Sequence, residues 1–182
     1  FWKGDKDTAW NMSDKIKGSP SIYKEDNIFP KSINFITSHD GFTLKDLVTF
    51  NRKHNFANRE QNRDGDNHNN SWNHGTEGPT TNLLINDLRK RQQKNLVLSL
   101  LISKGVPMIL MGDEIGRSQG GNNNSWCQNN LLGWMNWEHG QQDLELLDYF
   151  KYVIKIRKKL INIFNPSFFP NNQTNENIPT YH

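Results

Sequence analysis

The chain has 182 residues, of which 23% are charged, and a net charge of +3. That length is enough for a domain with a real core. The basic residues are scattered over helix faces, which argues against nucleic acid as a partner; the single cysteine, Cys127, cannot form an intrachain disulfide; and no apolar run is long enough for a membrane-spanning helix.

Residues 1–32 read as polar and irregular. The chain opens on Phe1 and closes on Tyr181-His182, and it is expected to be a segment of a longer polypeptide. A short apolar strand is predicted over Ile33–Thr37. It stops abruptly at His39-Asp40-Gly41, placing an imidazole and a carboxylate at a strand end, where chemistry on (β/α) scaffolds is done. Phe42–Phe50 is expected to be a short helix or turn.

Residues 51–79 lack periodicity and contain eight asparagines and three histidines. Asn, Asp and Gly bond their own backbone and tolerate left-handed conformations. An unstructured stretch this long inside a compact domain is functional or disordered. The expectation here is an ordered, polar, ligand-facing loop, with Trp72 offering a stacking surface.

A helix is predicted over Asn82–Lys104, charged in its first half and apolar from Leu96 to Ile102, with Gly105 and Pro107 ending it. The apolar run Val106–Met111 reads as a parallel strand covered on both faces. It ends at Gly112-Asp113-Glu114. A second Gly- and Asn-rich loop occupies 116–142. From Asp143 to Phe164 the apolar period is helical, with Leu147, Phe150 and Ile154 on one face, widened by Leu146, Tyr149 and Val153. Asn165-Pro166 stops it, and the tail from Phe168 has a different texture. The two basic groups, Arg89-Lys90-Arg91 with Lys94 and Arg157-Lys158-Lys159, read as solvated helix faces.

The order is strand, polar loop, helix, then strand, polar loop, helix. That is the grammar of a parallel α/β fold, either a barrel or an open doubly wound sheet.

Asp40 at a strand end could act as general acid or base, nucleophile, metal ligand or hydroxyl acceptor, and His39 could donate to a hydroxyl. The alternative is a helix cap. Asp113 and Glu114 suit a salt bridge with Arg117 or a substrate contact. Asp64-Gly65-Asp66-Asn67 has some features of a calcium loop but lacks the EF-hand glycine spacing and the terminal Glu. His54, His68 and His74 have no zinc-like spacing. Cys127 has no local base and is expected to serve packing. No phosphate-loop or dinucleotide motif occurs.

Phe35-Ile36-Thr37-Ser38-His39-Asp40-Gly41-Phe42-Thr43-Leu44 resembles the seventh-strand motif of the α-amylase superfamily, in the form used by isoamylase-type glycogen debranching enzymes. Asn51-Arg52-Lys53-His54-Asn55, Asn62-Arg63-Asp64-Gly65, Ser71-Trp72-Asn73, Glu77-Gly78-Pro79, Gly105-Val106-Pro107-Met108, Gly112-Asp113-Glu114-Ile115-Gly116-Arg117 and Gln119-Gly120-Gly121-Asn122-Asn123-Asn124 continue the likeness through most of residues 1–165. Two departures concern branch preference: Phe56-Ala57-Asn58-Arg59 stands where Glu-Ala-Asn-Gly is expected, and Asn129-Asn130 where Asp-Asn is expected.

The resemblance implies the C-terminal portion of a (β/α)8 barrel over 1–165, with a linker or the start of a C-terminal β-sandwich over 166–182. It implies part of a retaining hydrolase of α-1,6 branch linkages in glycogen- or starch-like α-glucans, with no cofactor, in the cytoplasm or plastid stroma. Asp40 would be the transition-state stabiliser, and His39, Asp113, Glu114 and Asn124 would contact substrate. The nucleophile and the general acid, about 5–5.5 Å apart in retaining enzymes, would lie outside this chain. A non-catalytic glucan-binding homologue and an α-1,4-acting relative are the rival readings.

Overall fold

The computed structural model describes residues 1–23, 32–138 and 141–160, with the side chains of 141–143 excepted. It is a mixed helix and sheet arrangement. The main elements in chain order are α1 (Ala9–Ile16), β1 (Ile33–Asn34), α2 (Leu44–Leu47), α3 (Leu83–Ile102), β2 (Val106–Pro107) and α4 (Gln141–Leu160).

α3 follows the sequence signals closely. Asn82 caps it, its side-chain oxygen accepting from the Leu84 and Ile85 N–H groups at 3.0 and 3.3 Å. Its apolar second half buries Val97, Leu100 and Leu101. α4 buries Leu146, Phe150 and Val153 against it, and Leu44 from α2 joins the same cluster, with Ile36, Tyr149 and Ile154 packed around. Burying such side chains contributes about 1.5–3 kcal/mol each, so the helical layer is the main source of cohesion. The side chain of Asp143, residues Ile161–Phe164 and the expected β domain over 166–182 lie outside the described residues.

α1 was not expected, since residues 1–32 read as irregular. Ala9, Met12 and Ile16 recur at helical spacing, but over only two turns, and α1 buries none of its residues. Its C-terminal Ile16 carbonyl accepts from the Lys104 N–H at 2.8 Å, and Trp2 Nε1 donates to Ser99 Oγ at 2.8 Å.

The two strands are parallel, Ile33 opposite Val106 and Asn34 opposite Pro107. They are shorter than expected. Val106 and Met108 donate to the Ser32 and Asn34 carbonyls at 2.9 and 2.8 Å, so Pro107 falls where no donor toward β1 is needed. Gly105, at φ +124°, joins α3 to β2; a Cβ there would collide with Ser32 Oγ and stand 2.7 Å from Asn34 Nδ2. The expectation that the second strand is covered on both faces fails. Ile33, Phe35, Val106 and Met108 remain exposed, because the described residues supply a helical layer for one side of the pair only.

The reading of the two basic groups as solvated helix faces is corrected at one residue of each, while Arg91, Lys158 and Lys159 are exposed. Arg89 is 5% exposed; its guanidinium donates to the carbonyls of Gly78 (2.8 Å), Asn73 (2.7 Å), Thr49 (3.4 Å) and Thr76. Arg157 donates to the Leu101, Ser103 and Gly105 carbonyls at 2.6–2.8 Å, closing the C-terminal end of α3. Each guanidinium gathers loop or helix-end carbonyls that a solvated face would leave to water.

Candidate functional site

The C-terminal ends of β1 and β2 point the same way because the strands are parallel. The segment after β1 carries His39 and Asp40, and the segment after β2 carries Asp113 and Glu114. Ligands bind at such edges in α/β folds.

His39 Nε2 lies 3.1 Å from Asp40 Oδ2, and both side chains are strongly exposed, at 87% and 77%. Behind them the backbone is pinned. Asp113, 3% exposed, accepts from the Thr37 hydroxyl on one side of the pair and from the Leu44 N–H at 2.9 Å on the other. Gly41 N–H donates to the Asn123 carbonyl at 3.0 Å, and Ser38 Oγ donates to the Asp40 carbonyl at 3.0 Å. Thr43 caps α2 by accepting from the Asp46 N–H at 3.2 Å. A short turn displaying an exposed imidazole and carboxylate is thus clamped at both ends.

Burial pushes the Asp113 carboxyl up to about 6, with Glu114 adding to the rise, while the Thr37 and Leu44 hydrogen bonds and Arg117 oppose it. The charged form is the costly one in this setting. Asp113 therefore faces the turn from within. Glu114, partly exposed, accepts from the Gly112 N–H at 2.9 Å. The expected salt bridge with Arg117 is not formed among the described residues; Arg117 donates to the Gly133 carbonyl at 2.7 Å.

The Asn-rich loop is ordered, and its asparagines largely serve one another. Asn55, Asn122 and Asn123 are almost fully buried. Asn55 Nδ2 donates to Asn123 Oδ1 at 2.8 Å, and the Asn123 N–H donates back to Asn55 Oδ1 at 3.0 Å. Asn58 and Asn122 exchange amide bonds at 2.8 and 3.3 Å. Asn124 Nδ2 donates to Asp64 Oδ2 at 3.0 Å and its carbonyl accepts from Asn58, so its amide nitrogen is engaged within the protein. Gly121, at φ +78°, lies against Phe50 and His54, where a Cβ would come within 2.9 Å of both rings.

The resemblance to a calcium loop at Asp64–Asn67 has a different physical basis. Lys53 Nζ donates to the carbonyls of Arg63, Asp64 and Gly65 at 3.2, 2.7 and 3.2 Å, so the cation in this loop is the protein's own ammonium. Asp64 Oδ2 takes amide donors from Asn55, Asn58 and Asn124. Among the described residues no group of three His, Cys, Asp or Glu side chains is arranged to hold a metal.

Two carboxylates to which the sequence assigned no role, Asp46 and Glu77, also organise this surface. Asp46 is fully buried and accepts from Ser118 Oγ, Gln119 N (2.7 Å) and Gly121 N (3.3 Å), tying α2 to the second loop. Burial raises its pKa and those hydrogen bonds resist the rise. Glu77 accepts from Asn51 N, Arg52 N, Asn73 Nδ2 and His54 Nε2 at 2.8–3.1 Å. Burial works to raise its pKa, but these donors outweigh it and hold the carboxyl at about 2. Trp72 stacks on the buried His74 with ring centroids 4.4 Å apart, so one indole face is already occupied. Cys127 is exposed, contrary to the packing role expected of it; the 3₁₀ turn Ser125–Cys127 lies on the surface with no buried residue.

No family model matches the chain. Among curated proteins it is 46% identical over 159 residues to a glycogen operon protein GlgX homolog of Mycobacterium tuberculosis, covering 87% of this chain and 22% of that protein. It is 44% identical over 160 residues to chloroplastic isoamylase 1 of Oryza sativa, covering 87% and 20%. It is 42% identical over 161 residues to a glycogen debranching enzyme of Erwinia tasmaniensis, covering 88% and 24%. The chain therefore spans about a fifth to a quarter of the length of the curated relatives it matches. At this identity across nearly nine-tenths of its own length, and with its clamped His-Asp turn and paired Asn-rich loops, the chain belongs to the isoamylase-type family of GlgX proteins, isoamylases and glycogen debranching enzymes.

Proposed function

We propose that this chain is the seventh- and eighth-strand portion of a (β/α)8 glycoside hydrolase that cleaves α-1,6 branch linkages in glycogen- or starch-like α-glucans with retention. The supporting observation is the exposed His39–Asp40 pair, held at the C-terminal edge of two parallel strands by a buried carboxylate behind it. The open apolar face of Ile33, Phe35, Val106 and Met108 suits a barrel interior, whose packing would come from further strands of the full-length protein.

In this reading Asp40 accepts hydroxyl hydrogen bonds from the sugar at the cleavage point. Those bonds strengthen as the ring flattens toward an oxocarbenium ion, and an interaction that strengthens in the transition state lowers the barrier. His39 donates to the same sugar, with Asp40 3.1 Å away orienting its ring. Asp113 is a positioning residue that fixes the turn. Glu114 and Asn124 remain candidates for substrate contact through their exposed atoms. The nucleophile and the general acid come from other strands of the full-length protein. The setting is bacterial cytoplasm or plastid stroma, and among the described residues no helix is long and apolar enough to cross a membrane.

The test is a product assay with the full-length protein on a branched α-glucan and on its linear counterpart. Release of linear chains from the branched substrate alone, with the α-anomer formed first, is expected. Cleavage of the linear glucan, or first formation of the β-anomer, would contradict the proposal.

A further inference from the structure

Two aromatic side chains in the Asn-rich loops are left to solvent: Phe56 is 68% exposed and Trp126 84%. Each sits in a 3₁₀ turn, Phe56–Asn58 and Ser125–Cys127. The first turn lies in the segment after β1 and the second in the segment after β2, on the strand-end side where ligands bind in α/β folds. Among the described residues neither ring stacks on another, and the Trp126 indole N–H has no hydrogen-bond partner. Other tryptophans are engaged: Trp2 donates to Ser99, Trp72 stacks on His74, and Trp134 Nε1 donates to Asn129 Oδ1 at 3.0 Å.

The backbone under the two rings is fixed. Asn55, immediately before Phe56, and Asn123 are 0% and 1% exposed and pair with each other at 2.8 and 3.0 Å. The Asn123 carbonyl also accepts from the Gly41 N–H, next to Asp40. One buried amide pair therefore joins the first 3₁₀ turn, the second loop and the His39–Asp40 turn. The two 3₁₀ turns are stitched again beyond it: Asn58 Nδ2 donates to the Asn124 carbonyl at 2.8 Å, and Gln128 Nε2 donates to Asn58 Oδ1 at 2.7 Å. Phe56 follows the junction directly, and Trp126 stands three residues beyond Asn123, at most about 11 Å of extended chain. An aromatic ring left in water forgoes the stabilisation of burial. Here the polar groups of both turns are spent on one another while the rings face out, an arrangement suited to an apolar ligand face. A glucose ring offers such a face in its C–H groups, with its hydroxyls around the edge.

We propose that Phe56 and Trp126 are a stacking platform for glucose units of the α-glucan beyond the cleavage point, and that they set the preference for branch length. The inference rests on the reading of the His39–Asp40 turn as the glucan-cleaving site. The rings take no part in bond breaking; they hold sugars that a short branch does not possess.

The experiment compares Phe56→Ala, Trp126→Ala and Trp126→Phe with wild type in the full-length protein, on α-glucans carrying maltoheptaosyl or maltosyl branches. Each alanine variant is expected to lower kcat/KM on the long branch about threefold to tenfold, the scale of one lost aromatic contact, and to leave the short branch within about twofold. Trp126→Phe should retain most of the long-branch activity. Equal losses on both branches, or no loss on either, would overturn the platform. A lowered unfolding transition in either alanine variant would show that the ring is packed in the full-length protein and would overturn it too. Calorimetric titration with linear maltoheptaose separates this inference from the debranching reading: if wild type releases neither branch, that reading fails, and the platform still requires weaker maltoheptaose binding in both alanine variants. Unchanged affinity, or no binding to wild type, would overturn it.

Discussion

Asp113→Asn isolates the carboxylate that clamps the His39–Asp40 turn. Asp113 is 3% exposed, and burial raises its pKa from 3.8 to about 6 in the folded protein. Because the folded value lies above the unfolded one, the native state holds the proton more tightly between these limits. Stability from this group is therefore fully present below pH 3.8 and declines as pH rises through about 6. The shift corresponds to about 3 kcal/mol at neutral pH. Asparagine keeps an oxygen for the Leu44 N–H, and the Thr37 hydroxyl can turn to accept from the new amide, so the clamp persists without a titrating charge. Urea unfolding of wild type and variant at pH 3.5 and pH 7 reads the difference. Distant carboxylates titrate equally in both proteins and cancel. The variant should gain about 2–3 kcal/mol relative to wild type between the two pH values. A difference that stays constant, or that falls with pH, would refute the reasoning that a buried carboxylate holds this turn at an electrostatic cost.

Glu77 should behave in the opposite sense. Its folded pKa of about 2 lies below the unfolded 4.5, so its contribution is present above pH 4.5 and is lost as pH falls toward 2. With a third of the side chain exposed, screening reduces the effect to about 1–2 kcal/mol, and acid titration of Glu77→Gln against wild type should show that much less acid sensitivity. Asn55→Ala and Asn123→Ala should each cost about 1–3 kcal/mol by leaving buried amides unpaired, and the double-mutant cycle in thermal unfolding should give a coupling of at least about 0.5 kcal/mol; strict additivity would mean that the two loops are not joined through this pair. Arg89→Lys should destabilise by about 2 kcal/mol or more, since an ammonium cannot replace a fork that reaches four carbonyls, and faster proteolysis within residues 73–80 would report it.

The parts of the fold that were legible in the sequence are those with local signals. α3 has a capping asparagine, an apolar half and a glycine-proline stop within one stretch, and α4 has a regular apolar period. The strand positions were legible too, but their lengths and coverage were not, because a strand's burial depends on layers that its own residues do not encode. α1 is easily missed because its apolar spacing of Ala9, Met12 and Ile16 covers only two turns inside a polar stretch. The basic runs misled because charge suggests solvent, while Arg89 and Arg157 are recruited by carbonyls that no local pattern reveals. In the site, residue types were legible and their partners were not. The asparagines of 51–79 look ligand-facing until Asn55 and Asn123, 68 residues apart, are seen to pair. Asp113 reads as a substrate contact until Thr37 and Leu44 are seen to use both its oxygens.

The proposed role of Asp40 is tested by kcat of the full-length Asp40→Asn variant on a branched α-glucan. Asparagine preserves the size of the side chain and removes the charge. A loss of about 10²–10³-fold in kcat is expected, the scale of removing one transition-state contact, with the unfolding transition unchanged because the side chain is exposed. Turnover within about twofold of wild type would contradict the assignment of this turn to the cleavage chemistry.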